Sequence, residues 1–413
     1  MANRFSGPKA RLRPAHAAQN FVSASQKVAH LTCCPKNEPM ILTNCPACAA
    51  PLPPTSAKQC SRCKTRYCGP ECQKTHWEEG GHDKLCRKIR KGGGAEQYHA
   101  ETKYKEAVGV AAEACADDTK GQTCYICTQA LHWKTKEGLV RGCSCRGTAG
   151  FAHVSCLAEQ AKILVAEAKE NNSGFKVLSE RWARWDHCSM CKQEYHGVVR
   201  CALGWACWKT YLGRLEEDWS RVSAMRQLGN GLSGAGRHEA ALSVREAELS
   251  TCRRLRAGQE DTLVAQNNLA TTYQVLGRLD EGLRMRQEVY SGRLKLNGEE
   301  YEETLRVANN YAVSLNGLKR FDEAKSLMRK TVPVARRVLG ENHDLTLRMR
   351  KIYSKALYKD PDATLDDLRE AVATLEDIEP IARRVLGGAH PLAASIERDL
   401  QNARAALDAR KKA

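Results

Sequence analysis

The sequence predicts a mostly α-helical protein in which two small metal-organised modules precede an α-solenoid. Three observations carry this. Between Cys45 and Cys191 the chain holds two consecutive eight-ligand patterns of Cys and His. From about residue 220 the cysteines nearly vanish and a period of 42 residues appears. Each period contains two stretches with apolar residues at helical spacing, joined at a short Gly-containing turn.

The 413 residues are enough for two or three domains rather than one core. Residues 1–40 read as a solvated, disordered basic arm: Arg4, Lys9, Arg11, Arg13, Lys27 and Lys36 precede the first acidic residue, Glu38. Weak nucleic-acid contact and an organelle transit peptide are the other readings of such a segment. Nothing resembles a base-reading surface, and no stretch approaches the roughly 20 apolar residues a transmembrane helix needs.

Residues 41–90 are too few to bury a core, and metal is the usual substitute at that length. Their ligand pattern is Cys45-x2-Cys48, Cys60-x2-Cys63, Cys68-x3-Cys72, His82-x3-Cys86. Lys91-Gly92-Gly93-Gly94 then reads as a break, and residues 91–121 as a linker with a helix over Ala95–Ala116. Residues 122–197 hold the second pattern: Cys124-x2-Cys127, Cys143-x-Cys145, His153-x2-Cys156, Cys188-x2-Cys191. Closely paired thiolates and imidazoles suit tetrahedral zinc, and sixteen ligands make four zinc ions per chain. Disulfides are the rival explanation of 20 cysteines. They belong to secreted chains with a signal peptide; the first 20 residues show no apolar h-region, and two ligand histidines have no place in that scheme. A reducing cytoplasm or nucleus is the expected compartment. Counting fourteen thiolates and four divalent ions brings the formal charge of +17 down to about +11.

Residues 198–219 read as a connecting helix, with an amphipathic stretch over Ala202–Ser220 that carries Trp205, Trp208, Tyr211, Leu212 and Trp219. The repeats occupy residues 220–405, ahead of a tail at 406–413. Thr262-Leu263, Thr304-Leu305 and Thr346-Leu347 mark the period, and Asn267-Asn268 recurs as Asn309-Asn310. Ala335–Gly340 returns as Ala382–Gly387 after 47 residues, which places an insertion around Lys359–Thr364. Such units cannot bury their apolar faces alone, so stacking is required.

The first pattern, with Tyr67-Cys68-x3-Cys72-Gln73 and Trp77 ahead of His82, resembles a MYND zinc finger. The resemblance implies interleaved (cross-brace) ligation: Cys45, Cys48, Cys68 and Cys72 for one ion, Cys60, Cys63, His82 and Cys86 for the other. His76 is the competing imidazole, read here as a solvated helix residue. MYND fingers dock peptides, typically proline-containing ones. The second pattern, with Cys fourth and His fifth, resembles a RING-CH finger more than a PHD finger, since His187 rather than an aromatic precedes Cys188. It implies Cys124, Cys127, His153 and Cys156 for one ion and Cys143, Cys145, Cys188 and Cys191 for the other. It also implies a ubiquitin ligase whose zincs are structural, with Ile126 as the contact to a ubiquitin-conjugating enzyme. Two features depart from that family: Cys156 is followed by Leu157-Ala158-Glu159-Gln160-Ala161 without the usual Trp, and the Cys156–Cys188 span is long. Residues 220–400 are similar to kinesin-light-chain tetratricopeptide repeats, carried by Asn267-Asn268-Leu269-Ala270 and Arg336-Arg337-Val338-Leu339-Gly340. That resemblance implies peptide binding by Asn267, Asn268, Asn309 and Asn310; helix surface or an intrahelical cap is their other reading.

A SET-type methyltransferase, which also joins MYND to helical repeats, would need a large β-rich domain for which the chain has no room. No phosphate-binding Gly-rich loop and no nucleophile elbow are present. Two functions remain: a ubiquitin ligase that recruits a conjugating enzyme through one finger and substrate peptides through the rest, and a non-catalytic scaffold of three peptide-binding modules.

Overall fold

The computed structural model describes residues 45–48, 50, 52, 57–388 and 390–412; the arm expected over residues 1–40 lies outside the described residues. The N-terminal finger is built on a minimal antiparallel ribbon, β1 (Lys58–Gln59) and β2 (Arg66–Tyr67), with Lys58 opposite Tyr67 and Gln59 opposite Arg66. Two short helices follow, α1 (Pro70–Glu78) and α2 (His82–Lys91). Pro70 opens α1, where its missing N–H costs nothing. In α2, Asp83 in the first turn and Lys88, Arg90 and Lys91 in the last complement the helix dipole. The Gly92–Gly94 break is a real turn: Gly93 and Gly94 sit at φ +88° and +106°, which side chains rarely adopt.

Helix α3 (Ala95–Ala114) buries Ala100, Tyr104, Ala107, Val108 and Ala111, one stripe at helical spacing. The second finger contributes α4 (Val154–Glu170), α5 (Gly174–Trp182) and a 3-10 turn at Ala183–Trp185, and α6 (Gly197–Tyr211) follows. Here the structure departs from the sequence reading. The expected helix over Ala202–Ser220 is two helices, broken at residues 212–218, with α7 starting at Trp219. Nor is α6 amphipathic: Cys201, Ala202, Leu203, Trp205, Ala206, Cys207 and Trp208 are all buried, because α3, α4 and α7 enclose it. At the α6–α7 crossing the backbones nearly touch. A Cβ on Gly231 would lie 2.7 Å from the Arg200 carbonyl oxygen, and one on Gly204 would lie 3.0 Å from that of Gln227.

The repeats are antiparallel helix pairs: α7 (Trp219–Gly234) with α8 (His238–Arg254), α9 (Gln259–Val275) with α10 (Leu279–Asn297), α11 (Glu302–Gly317) with α12 (Phe321–Leu339), and α13 (Asp344–Lys359) with α14 (Leu365–Leu386). A last helix, α15 (Pro391–Lys412), lies against α14 and α13. Two of the three Thr-Leu pairs act as packing signals; Thr262 of the first is half-buried and bonds back to the start of its own helix, to the Gly258 carbonyl at 3.4 Å. Thr304 and Thr346 are buried, and each hydroxyl donates to a carbonyl eleven residues back, that of Arg293 (3.5 Å) and that of Ala335 (3.4 Å). The insertion around 359–364 becomes a short loop closed by a capping box, in which Thr364 and Asp367 exchange hydrogen bonds.

Core packing ties the second finger to the solenoid. One continuous apolar cluster runs from Ala100 through Val140, Phe151, Trp185 and Trp205 to Leu228, Leu232, Val244 and Ala247. The N-terminal finger has a small cluster of its own, Cys45, Cys60, Cys63, Tyr67, Cys86, Ile89 and Ala95. No helix of the described residues is long and apolar enough to cross a membrane.

Candidate metal centres

The Cys-x2-Cys pairs are turns of one design. In each, the first cysteine donates its N–H to the carbonyl five residues on: Cys45 to Ala50 (2.7 Å), Cys60 to Thr65 (2.8 Å), Cys124 to Gln129 (3.0 Å) and Cys188 to Gln193 (2.9 Å). In the last three, the residue after the second cysteine (Lys64, Thr128, Lys192) sits at φ +63°, +61° and +60° and donates back to the first cysteine. Left-handed backbone costs a non-glycine residue roughly 1–2 kcal/mol. In return it points N–H groups at sulfur: those of Ile126 and Met190 each lie 3.4 Å from the Sγ of Cys124 and Cys188.

These turns bring the sixteen expected ligands into four groups, with ligand atoms all within 4.8 Å of one another. They are Cys45, Cys48, Cys68, Cys72; Cys60, Cys63, His82, Cys86; Cys124, Cys127, His153, Cys156; and Cys143, Cys145, Cys188, Cys191. Both patterns therefore interleave. The spacings suit one small ion per group. A tetrahedron with Zn–S bonds of about 2.3 Å separates sulfurs by about 3.8 Å. Here Cys48–Cys68 is 3.5 Å, Cys68–Cys72 3.4 Å, Cys60–Cys86 3.8 Å and Cys145–Cys188 3.8 Å. His82 faces its group through Nε2, 3.3 Å from Cys63, and His153 through Nδ1, 3.3 Å from Cys127. The other nitrogen of His153 lies 3.3 Å from the Ala130 carbonyl, the outer hydrogen bond that orients a metal-binding imidazole.

The electrostatics ask for a cation. Burial opposes ionisation of Cys60, yet the Cys63 N–H and the His82 ring bring its thiol down to about 6; burial and the neighbouring Cys60 push Cys86 up to about 12. In the first group Cys45 falls to about 7 against its burial, through the N–H groups of Cys68 and Cys48. Cys72 rises to about 12 beside Cys68 and Cys48. Neighbouring thiols cannot all ionise on their own, and a divalent ion removes the conflict. Zinc fits this donor set. Each shell is complete with four protein ligands, which leaves no open position for water activation.

His76 is not the solvated residue expected. Its ring is half-buried behind His82 (centroids 5.0 Å apart), and its Nδ1 meets the Tyr67 hydroxyl at 3.0 Å, so it buttresses a ligand rather than serving as one. Burial, then the neighbouring His82, holds its pKa down.

Some supporting residues escaped the sequence reading. His132–Glu137 forms a fifth turn of the same design without cysteines, with His132 donating to Glu137 at 3.0 Å and Lys136 at φ +60°. Helix α4 begins directly after the ligand His153, whose ring cannot serve as its cap. The Glu137 carboxylate does so instead, accepting from the Ser155 N–H (2.7 Å) and hydroxyl (2.8 Å). Gly150, at φ +85°, leaves room for Cys145: a Cβ there would lie 2.6 Å from that of Cys145. The Gly147–Gly150 stretch was the available signal.

Ile126 and Met190 occupy equivalent positions in two facing turns and are 36% and 48% exposed; the turns are joined by a hydrogen bond of 3.0 Å between the Tyr125 and Ser189 hydroxyls. The asparagines divide. Asn267 is half-buried and its Oδ1 accepts from Arg286; Asn268 and Asn310 are half-buried with backbone carbonyls taken by Arg245 and Ser314. Asn309 is buried and its Oδ1 has no partner among the described residues.

Family models for the MYND finger, the RING-variant domain and the tetratricopeptide repeat match residues 33–86, 124–173 and 261–331. The RING-variant match stops short of Cys188 and Cys191, which the structure adds to the fourth group. Similar solved structures include a kinesin light chain from Podosopora anserina with nearly identical TPR-like repeats (17% identity, 56% of this chain and 97% of that one, TM-score 0.39). Another is BtubC from P. vanneervenii (16% identity, 63% and 90%, TM-score 0.38). No curated protein matches the chain. The chain thus joins a MYND finger and a RING-variant finger to a solenoid of tetratricopeptide repeats.

Proposed function

We propose that the protein is a ubiquitin ligase of the RING-variant type, holding four zinc ions in structural sites and working in the cytoplasm or nucleus. Its second finger recruits a charged ubiquitin-conjugating enzyme, and the MYND finger and repeats hold peptide segments of the substrate, the latter through Asn267, Asn268, Asn309 and Asn310. The observation that carries this reading is the pair of apolar tips, Ile126 and Met190, left in water on two facing turns whose cysteines fix their position. Apolar side chains held out on a rigid frame are an interface in waiting. Catalysis would be positional: holding the thioester-linked ubiquitin close to a substrate amine replaces a rare encounter with an oriented one, with no acid or base from this chain.

The test is autoubiquitination with a panel of conjugating enzymes, comparing wild type, Ile126→Ala and Cys143→Ser. Chains formed by wild type and lost in both variants support the ligase. No chains from zinc-loaded protein with any conjugating enzyme favour the second reading, a non-catalytic scaffold. One observation favours that reading: after the sixth ligand Leu157 and Ala161 are buried and only Glu159 is exposed, so this stretch offers a partner no aromatic or large apolar side chain.

A further inference from the structure

The junction between the second finger and the first repeat forms an open cavity of about 680 Å³, within the roughly 300–1,000 Å³ of ligand pockets. Its floor is one face of α7, and one wall is α5, from the span between Cys156 and Cys188 that the finger's metal sites do not use. Two features set it apart.

The first is aromatic surface left in water. Phe175 is 86% exposed and Trp219 40%, and both line the cavity beside Trp182. Trp182 and Trp219 pack at a tilt of 56° with centroids 4.7 Å apart, and Trp182 leans on Tyr211 at 5.1 Å. The aromatic group is therefore fixed in place before any ligand arrives. Trp219 already accepts a cation: the Lys169 ammonium stands 5.1 Å from its ring centre.

The second is charge. The lining carries three carboxylates, Asp186, Glu217 and Asp261, against one guanidinium, Arg226. Arg226 is already engaged by Glu248 at 2.8 Å and by Asp261 at 3.3 Å. Asp186 accepts from Gln227 at 3.0 Å and His187 at 2.7 Å. Glu217 has no hydrogen bond or ion pair among the described residues. The cavity is left negative beside the open ring of Phe175, and that combination binds a guanidinium or ammonium through charge and cation–π attraction together.

We infer that this cavity binds a peptide segment of a partner protein in which an arginine or lysine is flanked by an apolar residue. The basic side chain sits between the ring of Phe175 and the carboxylates of Glu217 and Asp186, and the apolar neighbour lies against the exposed edge of Trp219. The site does not depend on ligase activity.

The test is fluorescence anisotropy on the full zinc-loaded chain with a labelled heptapeptide, Gly-Phe-Arg-Leu-Lys-Phe-Gly, and a counterpart with Glu in place of Arg and Lys. Only the basic peptide is expected to bind, with affinity falling as salt rises from about 50 to about 300 mM. Phe175→Ala and Glu217→Lys change exposed side chains and are expected to keep the wild-type circular dichroism while weakening binding by about fivefold or more. Equal binding of the two peptides, unchanged binding to both variants, or no binding to wild type overturns the proposal. So does tighter binding when Arg4, Lys9, Arg11 and Arg13 are changed to serine, which would assign the cavity to the chain's own basic arm.

Discussion

Arg286 and Met328 hold the same place in successive repeats, 42 residues apart, and only one of them suits it. Arg286 is 3% exposed and has no carboxylate partner among the described residues. Its guanidinium donates to Asn267, to the Thr271 hydroxyl at 2.7 Å and to Gln274 Oε1 at 3.3 Å, while its Nε is unpaired. Burial first, and then the charge of Arg245, bring its pKa from 12.5 to about 10. That drop corresponds to about 3 kcal/mol lost at neutral pH. The sign follows from proton binding: the unfolded chain holds this proton more tightly, so folding is penalised below pH 10 and the penalty fades as pH rises from 10 toward 12.5. Met328 shows that a long apolar side chain fits the same register with no exposure at all. Arg286→Met should therefore raise stability. Asn267, Thr271 and Gln274 are open enough for water to replace the lost donors, so a net gain of about 1–3 kcal/mol is expected. Urea denaturation of the zinc-loaded protein, followed by helical circular dichroism, measures it. The gain should shrink above pH 10. A loss of more than about 1 kcal/mol would refute the reasoning, because it would mean that three neutral acceptors fully compensate a buried guanidinium.

Three other outcomes are expected. Gly231→Ala should destabilise the protein by about 1–3 kcal/mol in the same assay, because its Cβ would press on the backbone at Arg200 and Cys201; an unchanged midpoint would mean that α6 and α7 can separate freely. Thr364→Ala should cost about 1 kcal/mol by removing the capping box of α14, and Thr364→Ser should recover most of it. Chelation of zinc should expose amides to hydrogen exchange not only through the fingers but also in α3, α6, α7 and α8, which share the second finger's core, while α11–α15 stay protected; protection that survives in α7 would separate the two.

What could be read from the sequence was whatever local spacing encodes. Cys-x2-Cys sets a turn whose backbone is complete within six residues, so the cysteines advertise it, and the 42-residue period is visible because stacked units repeat their contacts. Context decided the remainder. Trp205, Trp208 and Tyr211 read as one stripe of an amphipathic helix, but α6 has neighbours on every side and its Cys, Ala and Gly positions are equally buried. His76 looked like surface because nothing local places Tyr67 over it. Asn267 and Asn309 are identical as sequence and differ in the structure: Arg286 of the following helix donates to Asn267, whereas the Asn309 Oδ1 is buried with no partner among the described residues.

Helical repeats form a one-dimensional stack, and its terminal faces must be covered by something with a polar outer side. At the N-terminal end of this stack that cover is α6, held in turn by α3 and the second finger. A fragment starting at Trp219 would leave the α7 surface built around Leu228, Gly231 and Leu232 bare and prone to self-association, whereas one starting at Ala95 would keep it sheltered. If the fingers hold zinc as proposed, metal supply reaches beyond them: a newly made chain short of zinc would present a sticky end on an otherwise finished solenoid, the kind of defect that chaperones and proteases recognise.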